Sequence, residues 1–258
     1  MGDIERHFGL LLLGMARCLP LVWLVPAFGG PTVSMQLRLA FGGALAALSL
    51  PLLSAHVPAA VGVAWVLLVF RELLVGVVMG FVCACWFRAA EAAGAIIDAL
   101  CGFDFVAAGP DAEGGRSGAV SGVMLLFAIV VFLEIGGIGH VALALARSYE
   151  AVPLSASSSV AATTGAAAMS AIASSGKLLE SALGLSAPVV VALVIADLVL
   201  GVLGRAVPQL SVHVRGMPLK ALLGIGMLLI GLGAIRTAMQ ANLADFLAWM
   251  RASMGFGR

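Results

Sequence analysis

The 258-residue chain is 62% hydrophobic and only 10% charged, with a mean hydropathy of +1.14, so it has too few ionic groups to cover the surface of a soluble domain, where about a quarter of residues are charged. A net charge of +1 and sparse aromatic residues provide neither a basic field nor a stacking surface for nucleic acid. The composition defines a polytopic membrane protein, in which each backbone polar group must be satisfied within the segment, and an all-α fold is expected in a single membrane domain, residues 1–258.

The first apolar stretch, Phe8–Phe28, follows Asp3, Glu5 and Arg6, a poor leading region for a cleaved signal peptide. Arg17 and Pro20 interrupt it, and it is expected to be retained as a first helix. Leu39–Leu53 is short for the roughly 20 residues of a crossing and reads as half of a helical hairpin, whereas Ala59–Phe87 is long enough. Arg71 and Glu72 split that run near its middle, where an ionic side chain costs about 2.5–3.5 kcal/mol and must turn away from lipid. Neighbours on a helix diverge by about 100°, so each is expected to find its partner on another helix or chain rather than in the other. Glu72, Gly76 and Gly80 share one face, and small residues there invite a close helix contact. The four cysteines, Cys18, Cys83, Cys85 and Cys101, lie in or beside apolar runs. Cys83 and Cys85 would point about 200° apart on a helix with no second pair following, which describes buried thiols rather than half of a zinc site.

A charged segment, Arg88–Arg116, separates the N-terminal apolar runs from the C-terminal ones. It begins as continuing helix, with Arg88, Glu91, Ala95 and Asp98 on one stripe. Gly102-Phe103-Asp104-Phe105, Gly109-Pro110 and Gly114-Gly115 then break it into a loop whose acids, Asp104, Asp111 and Glu113, face one counter-charge at Arg116. Ala119–Ala146 follows and carries Glu134. The Ala/Ser/Thr-rich stretch Ser155–Ser175 is equally compatible with a flexible linker and with a helix of small side chains packed closely against neighbours. Leu178–Gly204 carries Asp197, which shares a face with Gly201 and Arg205. Next, Arg205, Arg215 and Lys220 are packed together with Pro208, Gln209 and Pro218; the two prolines are expected to bracket a rigid turn that cannot be one uninterrupted helix. Leu219–Ile235 is the last apolar run.

Six spans with the N-terminus inside would place Arg6, Arg147, Lys177, Arg236, Arg251 and Arg258 on one side and Arg38, Arg88, Arg116, Arg205, Arg215 and Lys220 on the other. The positive-inside rule ties, so either the span count differs or some segments are not ordinary spans. The mid-segment charges read first as structural ion pairs, with a proton or ion path, or segments lying partly outside hydrocarbon, as alternatives. Catalytic motifs fail on spacing. Gly118 to Gly122 reads G-x-x-S-G where intramembrane serine proteases carry G-x-S-G, the histidines are scattered without an i,i+4 pair, and Gly176-Lys177 lacks the rest of a phosphate loop. No enzyme, cofactor or metal is expected.

From Asp197 to Lys220 the chain reads D-x-x-x-G-x-x-x-R-x-x-P-Q-x-x-V-x-x-x-G-x-P-L-K. Before it, in order, come Arg71-Glu72 with Gly76 and Gly80-Phe81, Ala93-Gly94 with Asp98, Gly102-Phe103, Gly139-His140, Ser148-Tyr149 with Pro153, and Ala187-Pro188-Val189. Together these resemble the FliR/SctT family, an inner-membrane component of the export gate of flagellar and injectisome type III secretion. The resemblance implies helical hairpins lifted partly out of the membrane plane, in a helical multi-subunit pore for unfolded exported proteins. Implied partners are FliP/SctR-like and FliQ/SctS-like subunits, with FlhB/SctU-like and FlhA/SctV-like components beside them, in the bacterial inner membrane and, for a flagellar member, the basal body. It further implies a plug at Gly102–Arg116, drawing on Gly102, Phe103, Asp104, Phe105, Gly109, Pro110, Asp111 and Arg116. Assembly contacts are implied at Arg71, Glu72, Asp197, Arg205, Pro208, Gln209, Pro218 and Lys220. Ser211 and His213 stand where the family commonly has Asn and Phe, and Gly109-Pro110-Asp111 departs from its usual Asp-Pro order. The competing reading is a secondary transporter holding a small solute at its midplane charges, although no internal repeat accompanies it.

Overall fold

The computed structural model describes residues 3–29, 33–54, 62–102, 118–154, 160–206 and 212–253, and among these there are helices and no strands. In chain order they are α1 (Asp3–Leu24), α2 (Pro26–Gly29), α3 (Met35–Ser54), α4 (Val63–Cys101), α5 (Ala119–Glu134), α6 (Gly137–Ala151), α7 (Val160–Ala206) and α8 (Val212–Ser253). Three stretches are long and apolar enough to cross a membrane: Val63–Cys101, Ala168–Ala206 and Pro218–Ala244. A fourth crossing is available if Ala119–Glu134 and Gly137–Glu150, bent by 72° at their break, act as one broken span. The six apolar runs therefore do not become six straight spans. Helix continues through small and charged residues beyond each apolar run, because the backbone gains a hydrogen bond per residue added whatever the side chain.

One expectation is revised here and one open alternative is decided. Pro218 lies inside α8, not at the edge of a break. A proline removes one hydrogen bond and keeps a helical φ, a loss that an otherwise apolar helix absorbs; Pro20, Pro51 and Pro188 lie within helices in the same way. Only residues 207–211 separate α7 from α8, and Pro208 and Gln209 lie outside the described residues. The Ala/Ser/Thr-rich stretch is helix from Val160 onward. There the hydroxyls of Ser174 and Ser175 donate to carbonyls of their own helix, at Ser170 (2.6 Å) and Ala171 (2.9 Å).

The chain separates into two compact units. One comprises Met1–Phe87, Phe132–Lys177 and Ala244–Arg258. In it α1 packs along α3, with α2 turning the chain between them. The early part of α4 meets α1 backbone to backbone. A Cβ on Gly76 would overlap the Arg17 carbonyl, and one on Gly80 would stand 2.9 Å from Leu21 Cα. The shared small face expected from the sequence is thus a true close approach. Leu13, Leu21, Val22, Val75, Met79 and Val82 are buried in this unit. Phe87 meets Trp86 and Phe132 edge to face, at 5.0 and 5.1 Å between ring centres. Gly136, at φ 71°, adopts the left-handed conformation that separates α5 from α6.

The other unit comprises Arg88–Val131 and Leu178–Leu243. Here the later part of α4 presents Ala89, Ala90, Ala93 and Ile97 as a buried face. At Gly94 a Cβ would be 2.5 Å from Ser121 Cα, so α4 and the start of α5 are also in backbone contact. Cys101 Sγ sits where a side chain at Gly224 would begin, which brings the end of α4 against α8. By contrast, nothing lies within 4 Å of a Cβ on Gly122 or Gly201, so these motif glycines make no such approach within the chain.

Gly76→Ala is expected to destabilise the isolated chain by about 1–3 kcal/mol through overpacking against the α1 backbone. Gly122→Ala, which opens onto free space, is expected to be neutral or to gain up to about 1 kcal/mol of helix propensity. Denaturant midpoints of the two variants in detergent check the contrast, and matching midpoints would refute it.

Candidate functional site

The sequence places a guanidinium, Arg17, in the middle of α1 and a carboxylate, Glu72, in α4, and the close helix contact leaves both fully buried. Arg17 Nε donates to Glu72 Oε2 at 2.7 Å. Its Nη1 donates to Ser148 Oγ at 2.9 Å and its Nη2 to the Val152 carbonyl at 3.2 Å. The ring of Tyr149 covers the guanidinium face, with Cζ 4.0 Å from the ring centre. The Ser148 hydroxyl also donates to the Leu145 carbonyl at 2.6 Å, so it accepts from Arg17 with its lone pairs free.

Arg71 reaches the same place from the next position on α4. Its Nη2 donates to the Pro153 carbonyl at 2.7 Å and lies 3.5 Å from Glu72 Oε1. Each thus has the partner outside α4 that the sequence led one to expect, Glu72 in Arg17 and Arg71 in the Pro153 carbonyl, and only their approach to one another departs from expectation. Their side chains leave the helix in different directions, but both bend toward the C-terminal end of α6, and their tips converge there. That end is a natural place for cations: the last carbonyls of a helix lack intrahelical donors and carry the negative end of its dipole. Two arginines and one glutamate therefore tie α1, α4 and the end of α6 together, and the Ser148-Tyr149 pair is the part of α6 that they grip.

A second arrangement lies in the other unit. Asp98, fully buried in the last turn of α4, accepts from the backbone N–H of Val120 (3.0 Å) and of Ser121 (2.8 Å). These are donors of the first turn of α5 that a capping residue normally serves. Gly118, which holds the cap position, has no room for a side chain because the Asp98 carboxyl occupies it. Ser121 donates its hydroxyl to the Gly118 carbonyl at 2.8 Å, a local turn rather than a nucleophile's setting. Gly102, at φ 78°, closes α4 one residue after Cys101.

In this same unit Lys220 pairs with Asp197, their side chains 23% and 41% exposed. Cys101 Sγ lies 3.8 Å from the Lys220 carbonyl. The end of α4 and the two polar ends of the Asp197–Lys220 motif are thereby brought together. Arg205 and Pro218 are exposed. Of the residues implied for the plug, Gly102 is described, and Phe103, Asp104, Phe105, Gly109, Pro110, Asp111 and Arg116 lie outside the described residues. No group of three or more His, Cys, Asp or Glu side chains able to hold a metal occurs among the described residues. Sequence reasoning missed Arg17 and Asp98 as site residues. A mid-run position, the signal that singled out Glu72, marks Arg17 equally, and Asp98 carried no local sign of its role.

These features define an integral membrane protein in which apolar helices carry ionic groups fixed by neighbouring helices, with no catalytic arrangement among the described residues. Residues 8–246 match the family of bacterial export proteins, family 1, and the chain belongs to that family, the FliR/SctT components of the type III secretion export gate. It is similar to the flagellar biosynthetic protein FliR of Pectobacterium carotovorum subsp. carotovorum, with 29% identity over 210 residues, 81% of this chain and 78% of that one. FliR of Bacillus subtilis strain 168 is 28% identical over 236 residues, 91% and 90% of the two chains. The surface presentation of antigens protein SpaR of Shigella sonnei is 29% identical over 158 residues, 61% and 59%. The protein is a non-catalytic, multi-span export-gate component of flagellar or injectisome type III secretion in the inner membrane, and its partners belong to the export apparatus. The reading as a self-contained transporter gives way to this one.

Glu72→Ala would leave two buried guanidiniums without their carboxylate, at an expected cost of about 3–5 kcal/mol. Asp197→Ala breaks a half-exposed pair and should cost under about 1 kcal/mol in the isolated chain. Unfolding of each purified variant in detergent tests the ranking, which equal losses would contradict.

Proposed function

We propose that this subunit completes a helical pore with FliP/SctR-like and FliQ/SctS-like subunits, beside FlhB/SctU-like and FlhA/SctV-like components, and that unfolded exported proteins pass through it. The observation that carries this reading is the uncovered state of two of its long apolar helices. Only 11% of the apolar window of Ala168–Ala206 and 17% of that of Pro218–Ala244 is buried within the chain. Lipid would accept the aliphatic side chains left outside, but the half-exposed Asp197–Lys220 pair on such a surface is costly to leave against it. Protein neighbours would satisfy both, which supports an assembly role for Asp197 and Lys220; that of Arg205, Pro208, Gln209 and Pro218 rests on the family resemblance. Arg71 and Glu72 serve assembly indirectly, by setting the shape of the subunit that is recognised.

Residues 102–116 close the pore before secretion in this reading. Support comes from the two ends of that segment: Gly102 follows directly on α4, and Asp98 holds the first turn of α5 to the last turn of α4. The roles of Phe103 and Phe105 as fillers of a constriction, and of Asp104, Asp111 and Arg116 around them, rest on the family resemblance.

Affinity purification of the tagged chain from its own membranes should recover it in a stable complex with two other small membrane proteins. A monomer or homodimer that moves a solute when reconstituted alone would overturn the assignment. Shortening the segment between Gly102 and Ser117 should leave that complex intact and raise small-ion conductance across the membrane, whereas an assembled variant that stays tight would remove the plug role.

A further inference from the structure

We infer that the exposed face of α4 from Val63 to Phe81 is the surface by which this subunit meets the hydrocarbon of the bilayer, not a partner chain. Arg71, Glu72, Val75 and Met79 are buried on one side of this helix, where Gly76 and Gly80 give the close approach to α1. The opposite side is open. From Val66 onward its exposed residues are Val66, Leu67, Phe70, Leu73, Val77 and Phe81, whose spacing puts them in one stripe. Every one is a large apolar side chain. The stripe has no polar group that a neighbour would have to serve, and no glycine that would let a second helix come close. Its length fits the same occupant: from Val63 to Phe81 the helix rises about 27 Å, against roughly 30 Å of hydrocarbon in a bilayer.

The character of the face then changes with no break in the helix. Arg88 and Ala95 follow Phe81 at steps of about two turns and continue the stripe. Beyond Phe81 the exposed residues of α4 are Arg88, Ala95 and Ala99. Arg88 pairs with Glu91, and an exposed ion pair belongs at the headgroups or in water. One continuous helix thus presents a hydrocarbon surface first and a polar one after it. The exposed surface of α7 has a different chemistry. There Leu198 and Val202 stand beside Gly201, where a Cβ would meet nothing within 4 Å, and beside the half-exposed Asp197. A small residue and a polar group are what a protein neighbour uses, and the α4 stripe has neither. The inference rests on the assembly reading above only for this contrast.

Collision measurements on the assembled complex in bilayers separate lipid from protein as the covering. A spin label is attached through a keto amino acid, as in Leu67→p-acetylphenylalanine, which leaves Cys18, Cys83, Cys85 and Cys101 untouched. Leu73, Val77, Arg88, Leu198 and Val202 are labelled likewise, one per variant, in the full chain expressed with its partner subunits. Dissolved oxygen, which partitions into lipid, and a water-soluble nickel chelate then report the surroundings. At Leu67, Leu73 and Val77 oxygen is expected to relax the label more than the chelate does, and at Arg88 the order is expected to reverse. Shielding from both reagents at the three stripe positions would mean that protein covers them, and would overturn the inference. Ready access of the chelate to those positions would mean water, and would overturn it equally. Loss of the complex from all three labels would count as a protein contact, with the same consequence. Leu198 and Val202 test the assembly reading separately. Shielding from both reagents is expected there, and an oxygen-dominated response would count against that reading while leaving the α4 assignment to its own three positions.

Discussion

A guanidinium and a carboxylate, both withdrawn from solvent, meet at 2.7 Å between α1 and α4, and the architecture of the first unit follows from keeping that meeting intact. A buried ion pair stabilises only if the geometry is tight and the remaining donors and acceptors are also served; with either condition unmet, desolvation wins. Gly76 and Gly80 meet the first condition by letting the α1 backbone come to van der Waals contact with α4. Ser148, Tyr149 and the Val152 carbonyl meet the second for Arg17 by occupying the rest of its guanidinium, while Glu72 Oε1 has no hydrogen bond and faces Arg71 Nη2 at 3.5 Å. Arg71 adds a second cation and a second carbonyl at the same helix end, so three segments distant in sequence are fixed by one cluster.

Ionic groups within apolar helices are accommodated here in three ways, graded by exposure. Where no solvent reaches, Arg17 and Glu72 neutralise one another directly. Asp98, equally buried, is held by backbone dipoles at a helix start, an environment that favours negative charge. Asp197 and Lys220 pair on a surface that the chain itself leaves partly open. The gradation runs from groups closed off within the subunit to a pair left partly open at its surface. The positive-inside count treats its cations as loop residues. Several of the counted cations sit in helices and ion pairs rather than in flanking loops.

Much of this was legible in the amino-acid order, and the remainder was hidden for identifiable reasons. The shared face of Glu72, Gly76 and Gly80 follows from helical spacing and proved to be a contact. The family motifs, read together, gave the family. The partners of Glu72 were not legible, because Arg17 lies 55 positions away and Ser148 a further 76 beyond Glu72, and no local pattern encodes a pairing over that distance. The convergence of Arg71 with Glu72 was misjudged because helical angles describe where side chains start, not where long ones end. In the stripe from Arg88 to Asp98, equal spacing concealed unequal fates. Arg88 and Glu91 form a pair at the surface, while Asp98 at its end is fully buried. Element lengths were underestimated for a simpler reason, since apolar runs mark burial or lipid and helices continue past them.

The order in which the cluster's members are synthesised bears on how this protein enters a bilayer. Arg17 emerges from the ribosome first and Glu72 second; Ser148 and the Val152 carbonyl follow much later. An arginine or an acid near the centre of a helix opposes its insertion by about 2.5–3.5 kcal/mol when each helix partitions alone. If α1 and α4 pair as they are made, Arg17 and Glu72 neutralise one another before α6 exists, the glycine face of α4 permitting the contact, while Arg71 still awaits the Pro153 carbonyl. The glycines that shape the finished subunit would then also lower the cost of its first buried charges.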